Sequence, residues 1–263
     1  MQNQKIGFIG AGNMGGALAR AVRRALPDAG ILLSNRRVEK SRALAEEIGG
    51  KAAANGEIAE ECDTIFLGVK PYLIHPVLEE IAPILAKRTE QPLIISMAAR
   101  ITLEELESCS GGAPMVRIMP NTPVSIGKGV TLYTLGTSAD DSCRDRLLAL
   151  LSASGSLIEI AEAQIDAAGG VSGCGPAFVD LFLEALADGA VYCGVPREQA
   201  MELAAEMTAG AAALAAESKV HPGVLKDAVC SPGGSTIRGV RKLEQGGLRS
   251  AVIEAILAST GKE

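Results

Sequence analysis

Tryptophan is absent from the 263-residue sequence, and aromatic residues make up only 3% of it. This scarcity disfavours a site that stacks nucleic-acid bases. The formal net charge of −6 also disfavours a nucleic acid or an anionic membrane as partner, because both attract cationic surfaces. No run approaches the about 20 apolar residues of a membrane-spanning helix. We therefore expect neither a nucleic acid nor a membrane as partner.

Groups that could bind a metal or act as nucleophiles are also few. The six cysteines are scattered without a C-x-x-C pair, so neither a metal site nor a redox pair is predicted. Reduced thiols in the cytoplasm are the simplest account of them, and no basic and apolar leader precedes the first strand. We interpret His75 as a surface or packing residue, His221 as a cap of helix-end carbonyls, and Cys174 as a small buried residue.

What the sequence does contain, at its start, is a short apolar strand followed by a glycine turn and a helix. Gly10, Gly12 and Gly15 fit the G-x-G-x-x-G pattern of a dinucleotide-binding turn. Gly12 leaves room for a pyrophosphate, and the helix N-terminus offers N–H groups and a positive dipole end to the phosphates. The pattern predicts a bound dinucleotide, and a glycine turn without a ligand is the alternative.

The end of the second strand bears on which dinucleotide is bound. An Asp or Glu about 20 residues past the glycines would bind the ribose 2′-hydroxyl of NAD. This sequence has Ser34, Asn35, Arg36 and Arg37 there, and such groups suit a 2′-phosphate. The residues predict NADPH, with NADH as the weaker cofactor, whereas a merely solvated basic helix N-terminus is the alternative.

Apolar strands alternate with helical segments up to about residue 160, which predicts an α/β fold with a doubly wound parallel sheet. In such sheets ligands bind at the carboxyl ends of the strands. The loops that follow the strands should therefore meet along one rim: 10–15, 34–37, 68–71, 96–99 and 119–123.

The remainder of the chain is predicted to be all-α, because strand signals disappear from about residue 163. One helix should begin at Gly175-Pro176 and another should span 197–218. We place the domain boundary between residues 161 and 162, which gives domains of residues 1–161 and 162–263. The many apolar positions of the second domain indicate that it packs on a second subunit.

A second candidate site follows in residues 231–236, where two glycines precede Ser235 and Thr236 at a predicted helix start. Free backbone N–H groups and hydroxyls there could bind a carboxylate. An N-capped helix after a tight turn would need no ligand and is equally compatible with the pattern.

Together these segments resemble the Δ1-pyrroline-5-carboxylate reductase family over the whole chain. The resemblance rests on residues 7–14, 68–71, 117–123 and 173–177 and, most specifically, on residues 225–227, 229–236, 239–240 and 243–244. It implies an N-terminal Rossmann-type domain followed by an all-α dimerisation domain. Two helical domains would interlock in a homodimer that can assemble further into a decamer.

The resemblance also implies roles for individual residues. Substrate would be bound by Ser231, Gly233, Gly234, Ser235 and Thr236, with Ser231 and Thr236 as the catalytic candidates. The cofactor would be bound by Ile9, Gly10, Ala11, Gly12, Asn13, Met14, Ser34, Asn35, Arg36, Asn55, Val69, Lys70, Pro71, Met97, Ala98 and Ala99. Two departures are Lys219, where some relatives have an acid, and Cys174, where Ser or Ala is usual.

The implied reaction is hydride transfer from NADPH to the C=N carbon of pyrroline-5-carboxylate, which gives L-proline. Thr236 would hydrogen-bond the ring nitrogen, or relay a proton to it from water. A β-hydroxyacid dehydrogenase-like oxidoreductase is one alternative, but that class relies on a catalytic lysine in its second domain. A non-catalytic NADP-sensing protein is another, because the fold alone does not establish catalysis.

Overall fold

The computed structural model describes residues 4–261, which form two compact units, one ending at Gly173 and one beginning at Cys174. The first unit is built on eight strands: β1 (Lys5–Ile9), β2 (Gly30–Ser34), β3 (Lys51–Ala52), β4 (Thr64–Leu67), β5 (Leu93–Ser96), β6 (Met115–Pro120), β7 (Gly129–Leu135) and β8 (Gly155–Glu159). Its helices are α1 (Asn13–Ala25), α2 (Val38–Ile48), α3 (Asn55–Glu61), α4 (Ile74–Leu85), α5 (Leu103–Ser108), α6 (Asp141–Leu150) and α7 (Glu162–Gly169).

The strands form a single sheet in the order β3-β2-β1-β4-β5-β6-β7-β8. All pairs are parallel except β6 and β7. The predicted α/β architecture with a doubly wound, mainly parallel sheet is confirmed. The antiparallel pair was not predicted; it arises because β6 and β7 are joined by a short segment, and a parallel pair needs a crossover of about a dozen residues or more.

Helices cover both faces of the sheet, and strand alternation divides the core accordingly. On one face Phe8 packs with Leu18 and Val22 of α1. On the other face Ile9 packs with Leu78 of α4 and its neighbours. Successive strand side chains point to opposite faces, so β1, which is buried from Ile6 to Ile9 after the exposed Lys5, contributes to both clusters.

Arg117 is the largest of the fully buried side chains, with 2% of its surface exposed. It lies in the middle of β6 and donates to Asp166 Oδ1 of α7 at 2.6 Å and to Glu162 Oε1 at 3.4 Å. Ile165 of the same helix is also fully buried. Helix α7 is therefore anchored to the sheet by a buried cation and an apolar contact.

The helical unit contains α8 (Gly175–Tyr192), α9 (Arg197–Ser218), α10 (Pro222–Ala228), α11 (Ser235–Gln245) and α12 (Leu248–Ser259). The helix predicted to begin at Gly175-Pro176 in fact continues from α7 through one π-helical turn at Gly170–Cys174. Pro176 lies just after this π-helical turn, where the regular α-helical bonding is already interrupted, so its missing N–H disturbs the helix less than it would in a regular helix interior. The boundary at residue 161 stays a prediction.

The continuous helix Glu162–Tyr192 is long and apolar enough, by length and composition alone, to cross a membrane. The expectation that no segment approaches such a span therefore does not hold for this helix. Only 11% of its apolar window is buried. Core and interface helices of proteins outside membranes can have the same length and composition.

Two residue interpretations in the helical unit need correction. His221 does not cap helix-end carbonyls; its Nδ1 accepts the N–H of Gly223 at 3.1 Å and so caps the N-terminus of α10. This happens because α9 has already ended at Ser218, and Pro222 starts the next helix immediately after His221. Cys174 is half-buried rather than buried, at the end of the π-helical turn.

Candidate functional site

The glycine turn between β1 and α1 is held by the carbonyl of Ser34. The N–H groups of Gly10 and Ala11 both donate to this oxygen at 2.9 Å. Gly10 has a φ of +95°, which glycine adopts without strain. The turn therefore connects the carboxyl ends of β1 and β2 and directs the N-terminus of α1 toward the rim of the sheet.

A cleft of about 630 Å³ lies along this rim. Its lining comes from the segments that follow β1, β2, β4 and β5, including the start of α1, and from the end of β6: Gly10, Gly12, Asn13, Met14, Asn35, Arg36, Gly68, Val69, Lys70, Pro71, Leu73, Met97, Ala99, Ile118, Met119 and Pro120. The two charged side chains of this lining, Arg36 and Lys70, are both cationic. The cleft therefore suits an anionic ligand with an apolar portion.

Of the sixteen residues expected to bind the cofactor, eleven line the cleft and five do not. Ile9, Ala11 and Ala98 are buried, so their side chains face the core and only their backbone could reach a ligand. Ser34 and Asn55 lie beside the cleft and hydrogen-bond each other at 2.6 Å. The expected list lacked Gly68, Leu73, Ile118, Met119 and Pro120, four of which directly follow or end strands.

The residues of the turn fit a dinucleotide pyrophosphate. A Cβ built on Gly12 meets no atom within 4 Å, so this position opens onto free space. A Cβ on Gly15, in contrast, would lie 2.5 Å from the carbonyl oxygen of Gly10. Gly12 is also the N-cap of α1 and has no side chain to satisfy the first N–H groups of the helix. An anion can therefore approach these N–H groups closely.

At the end of β2 the polar side chains take different positions. Asn35 Oδ1 accepts the N–H of Arg37 at 3.1 Å, which closes the turn that leads into α2. Arg37 is the N-cap residue of α2 and is absent from the cleft lining, whereas Arg36 is exposed at the cleft. Of the two guanidinium groups that the sequence offered for a 2′-phosphate, Arg36 is the one placed to reach it.

Asn121 follows β6 and is 93% buried, and sequence reasoning had assigned it no role of its own. Its Nδ2 donates to the Ser172 carbonyl at 2.8 Å, and its Oδ1 accepts the Val130 N–H at 2.8 Å. It thereby ties the loop after β6 both to β7 and to the π-helical turn. In the sequence, Asn121 is marked only by its place between two prolines after a strand. This pattern does not indicate which groups its side chain will hydrogen-bond.

The second candidate site, residues 231–236, belongs to the helical unit. The N-cap of α11 is Gly234, with no side-chain cap, so the N-capped alternative lacks the side chain it would need. Gly233 has a φ of +69°, and the N–H of Gly234 donates to the Ser231 carbonyl at 3.0 Å. Ser231, Ser235 and Thr236 are exposed in the single chain. The first turn of α11 and its hydroxyls are therefore available to an anion.

All six cysteines are free thiols. Cys62 is completely buried, and this burial raises the pKa of its thiol from 9.0 to about 12. Cys109 lies 3.6 Å from His75 Nδ1, which places His75 in a packing role at the half-buried start of α4. No cluster of three or more potential metal ligands occurs within residues 4–261.

Comparison with known proteins gives matches over both units. Residues 162–263 match the family model for pyrroline-5-carboxylate reductase dimerisation, and residues 5–100 match a family of NADP oxidoreductases described as coenzyme F420-dependent. A pyrroline-5-carboxylate reductase of Escherichia coli is 42% identical over 258 residues, covering 96% of this chain and 94% of that protein. A pyrroline-5-carboxylate reductase of Arabidopsis thaliana is 38% identical over 258 residues, covering 97% of this chain and 92% of that protein.

Solved structures agree with these matches. Plasmodium falciparum pyrroline carboxylate reductase, determined with NADP bound, has a TM-score of 0.87 at 31% identity and covers all of this chain and 97% of that one. The Coxiella burnetii pyrroline-5-carboxylate reductase has a TM-score of 0.89 at 32% identity, covering 98% and 96%. The fold, a nicotinamide cofactor and self-association through the helical domain are therefore supported together.

Proposed function

Because the chain belongs to the pyrroline-5-carboxylate reductase family, we propose that it reduces the C=N bond of 1-pyrroline-5-carboxylate to give L-proline, the last step of proline biosynthesis. The observation that carries this proposal is the near-complete coverage of the relatives' length. The matched region includes both the cationic cleft of the first unit and residues 231–236 of the second.

The cofactor of this reaction would be NADPH, which supplies a hydride from its nicotinamide ring. The N-terminus of α1 and Gly12 would bind the pyrophosphate, and Arg36 with Asn35 would bind the 2′-phosphate. Met97, Ile118 and Met119 offer apolar surface to the nicotinamide ring. NADH would be used more weakly, because it lacks the phosphate that Arg36 can pair with.

The substrate would be bound by residues 231–236 at the start of α11. Backbone N–H groups there and the hydroxyls of Ser231 and Ser235 would bind the carboxylate. The imine is basic enough to arrive protonated, so its reduction needs no strong side-chain acid. The Thr236 hydroxyl would orient the ring nitrogen or relay a proton to it from water. This division of roles agrees with the few titratable side chains in the cleft lining.

The functional unit would be a homodimer with interlocked helical domains in the cytoplasm, and such dimers would assemble further into a decamer. In the single chain, large apolar side chains of α8 and α9 are exposed, among them Leu181, Leu203 and Met207 at 66%, 62% and 51%. Exposed apolar surface on this scale is typical of an interface that another subunit covers. Six free thiols suit a reducing compartment.

The test is NADPH oxidation with 1-pyrroline-5-carboxylate, compared with a panel of hydroxy and keto acids. We expect turnover with the imine, and Thr236→Ala should lower kcat roughly 100-fold while NADPH affinity is kept. Thr236→Ser retains the hydroxyl and should recover most of the rate.

The same assay distinguishes the alternatives. Turnover with a hydroxy acid and none with the imine would favour a β-hydroxyacid dehydrogenase-like enzyme. NADPH binding without any turnover would favour a sensing protein. An imine reduction by Thr236→Ala at the wild-type rate would contradict the role of Thr236.

A further inference from the structure

Three polar side chains form a hydrogen-bonded chain that begins at Ser34, next to the cleft-lining Asn35, and reaches from β2 to α4. Ser34 at the end of β2 contacts Asn55 at the start of α3, with 2.6 Å between Ser34 Oγ and Asn55 Oδ1. Asn55 Nδ2 donates to Glu80 Oε2 of α4 at 2.8 Å. Sequence reasoning assigned a cofactor role to Ser34 and Asn55 and none to Glu80.

The chemistry of Glu80 decides the direction of every bond in this chain. An ionised carboxylate only accepts hydrogen bonds, so the Asn55 atom that faces Glu80 must be the NH₂ group. The carbonyl oxygen of the amide therefore faces Ser34. An amide oxygen also only accepts, so the Ser34 hydroxyl must donate its single proton to Asn55. Glu80 thus determines where the proton of Ser34 points although the two residues do not touch.

The consequence concerns the adenosine ribose of a nicotinamide cofactor. Ser34 ends β2, the position at which this fold contacts the ribose 2′ substituent. With its proton committed to Asn55, the Ser34 hydroxyl can offer only lone pairs to a ligand. A lone pair suits the 2′-hydroxyl of NADH, which can donate, but it gives no bond to the 2′-phosphate of NADPH, whose oxygens accept.

We propose that Glu80 is a specificity-determining residue, which lowers the preference for NADPH over NADH by holding the Asn55 amide and, through it, the Ser34 proton. Arg36 and Asn35 favour the 2′-phosphate from the cleft side, and the Ser34–Asn55–Glu80 chain opposes them. This inference rests on the proposed cofactor site. Glu80 acts through Asn55 and is a positioning residue.

The test is direct binding of NADPH and of NADH to the full chain, measured by calorimetry without substrate. Glu80→Gln keeps the size of the side chain but can donate as well as accept, so the Asn55 amide can rotate and release the Ser34 proton. We expect the ratio of the NADH Kd to the NADPH Kd to rise about tenfold, as for one gained hydrogen bond to a charged group.

Two further variants separate the hydrogen-bonded chain from the loss of a negative charge. Glu79→Gln makes the same charge change at the adjacent exposed position of α4 and should leave the ratio unchanged. In a Ser34→Ala background there is no hydroxyl proton to release, so Glu80→Gln should then have no effect on the ratio. Thermal unfolding of each variant at one protomer concentration checks that all are folded.

The outcomes distinguish this inference from the proposed function. An unchanged ratio in Glu80→Gln, or an equal rise in the presence and absence of the Ser34 hydroxyl, would overturn the inference while leaving the cofactor site in place. Failure of the wild-type protein to bind either dinucleotide would overturn the cofactor site itself, and with it the inference.

Discussion

Replacing Gly12 by alanine should separate cofactor binding from folding at the glycine turn. A Cβ on Gly12 meets no protein atom within 4 Å, and the residue has a φ of −81° and ψ of −154°, which alanine can adopt. Alanine lowers the conformational entropy of the unfolded chain, which stabilises the folded protein by about 0.4–1 kcal/mol. Alanine is also a poorer N-cap residue than glycine, which destabilises it by a similar amount. We therefore expect the free energy of unfolding to change by less than about 1 kcal/mol.

Cofactor affinity should respond very differently to Gly12→Ala. The new methyl group would occupy the open space through which a pyrophosphate approaches the first N–H groups of α1. Losing two hydrogen bonds to a charged phosphate costs about 3 kcal/mol, which corresponds to an about 100-fold rise in the NADPH Kd. Calorimetric titration with NADPH measures this change, and circular dichroism of the same sample measures unfolding.

Gly15→Ala is the matched control, because it places the same methyl group against the protein instead of the cleft. Its Cβ would lie 2.5 Å from the Gly10 carbonyl oxygen, a backbone atom that cannot move aside cheaply. Overpacking costs about 1–3 kcal/mol, and a clash with backbone lies at the upper end of this range, whereas alanine recovers about 1 kcal/mol of helix propensity; the expected net loss is about 2 kcal/mol. The Tm should fall by about 4–8 °C at fixed protomer concentration.

The two variants should therefore have different effects: Gly12→Ala should lose NADPH affinity and keep its stability, whereas Gly15→Ala should lose stability. Wild-type NADPH affinity in Gly12→Ala would refute the close approach of the pyrophosphate at this position. An unchanged Tm in Gly15→Ala would refute the steric argument for the third glycine.

Three other predictions follow from the structure. Arg36→Ala should raise the NADPH Kd about tenfold and leave the NADH Kd unchanged, since only NADPH offers a phosphate; equal losses for both cofactors would reject this role. The double variant Glu162→Ala and Asp166→Ala should lower the free energy of unfolding, measured with urea, by about 3–5 kcal/mol, because it leaves the Arg117 cation buried without its carboxylates. Arg117→Met should lower it less, because the two carboxylates that lose their partner are partly exposed to water. Because burial raises the pKa of the Cys62 thiol, its contribution to the free energy of unfolding is complete below pH 9 and is lost as the pH rises toward about 12. The difference in this free energy between wild type and Cys62→Ala should therefore shrink above pH 9, by at most about 1.4 kcal/mol per pH unit. A difference that stays constant with pH would contradict the buried thiol.

Much of the sheet and its rim could be predicted from local patterns. Buried parallel strands are apolar on both faces, so β1, β4 and β5 read as short apolar runs ended by polar or glycine-containing loops. The loops after these strands do line one cleft. The strand β3 and the antiparallel β7 were harder to predict, because two residues of β3 carry no periodicity and strand direction depends on the connection.

Predictions were weakest where a residue's role depends on a partner distant in sequence. Arg117 sits in an apolar strand, and only the position of α7 reveals why a cation is buried there. His221 precedes a proline, which marks a helix boundary but does not tell whether the histidine caps the helix before it or the one after it. A side chain between two helices can accept from one or donate to the other, and backbone geometry decides which.

The sequence by itself determined the glycine turn at residues 10–15, the cationic end of β2 and the polar segment 231–236. Each of these features consists of residues that are neighbours along the chain, so the residue types alone indicate what the segment can bind. Only the tertiary structure decided that Arg36, and not Arg37, faces the cleft, and that Glu80 is coupled to Ser34 through Asn55. The direction of a hydrogen bond depends on which groups meet in space, and residues 34, 55 and 80 meet only when β2, α3 and α4 are packed together.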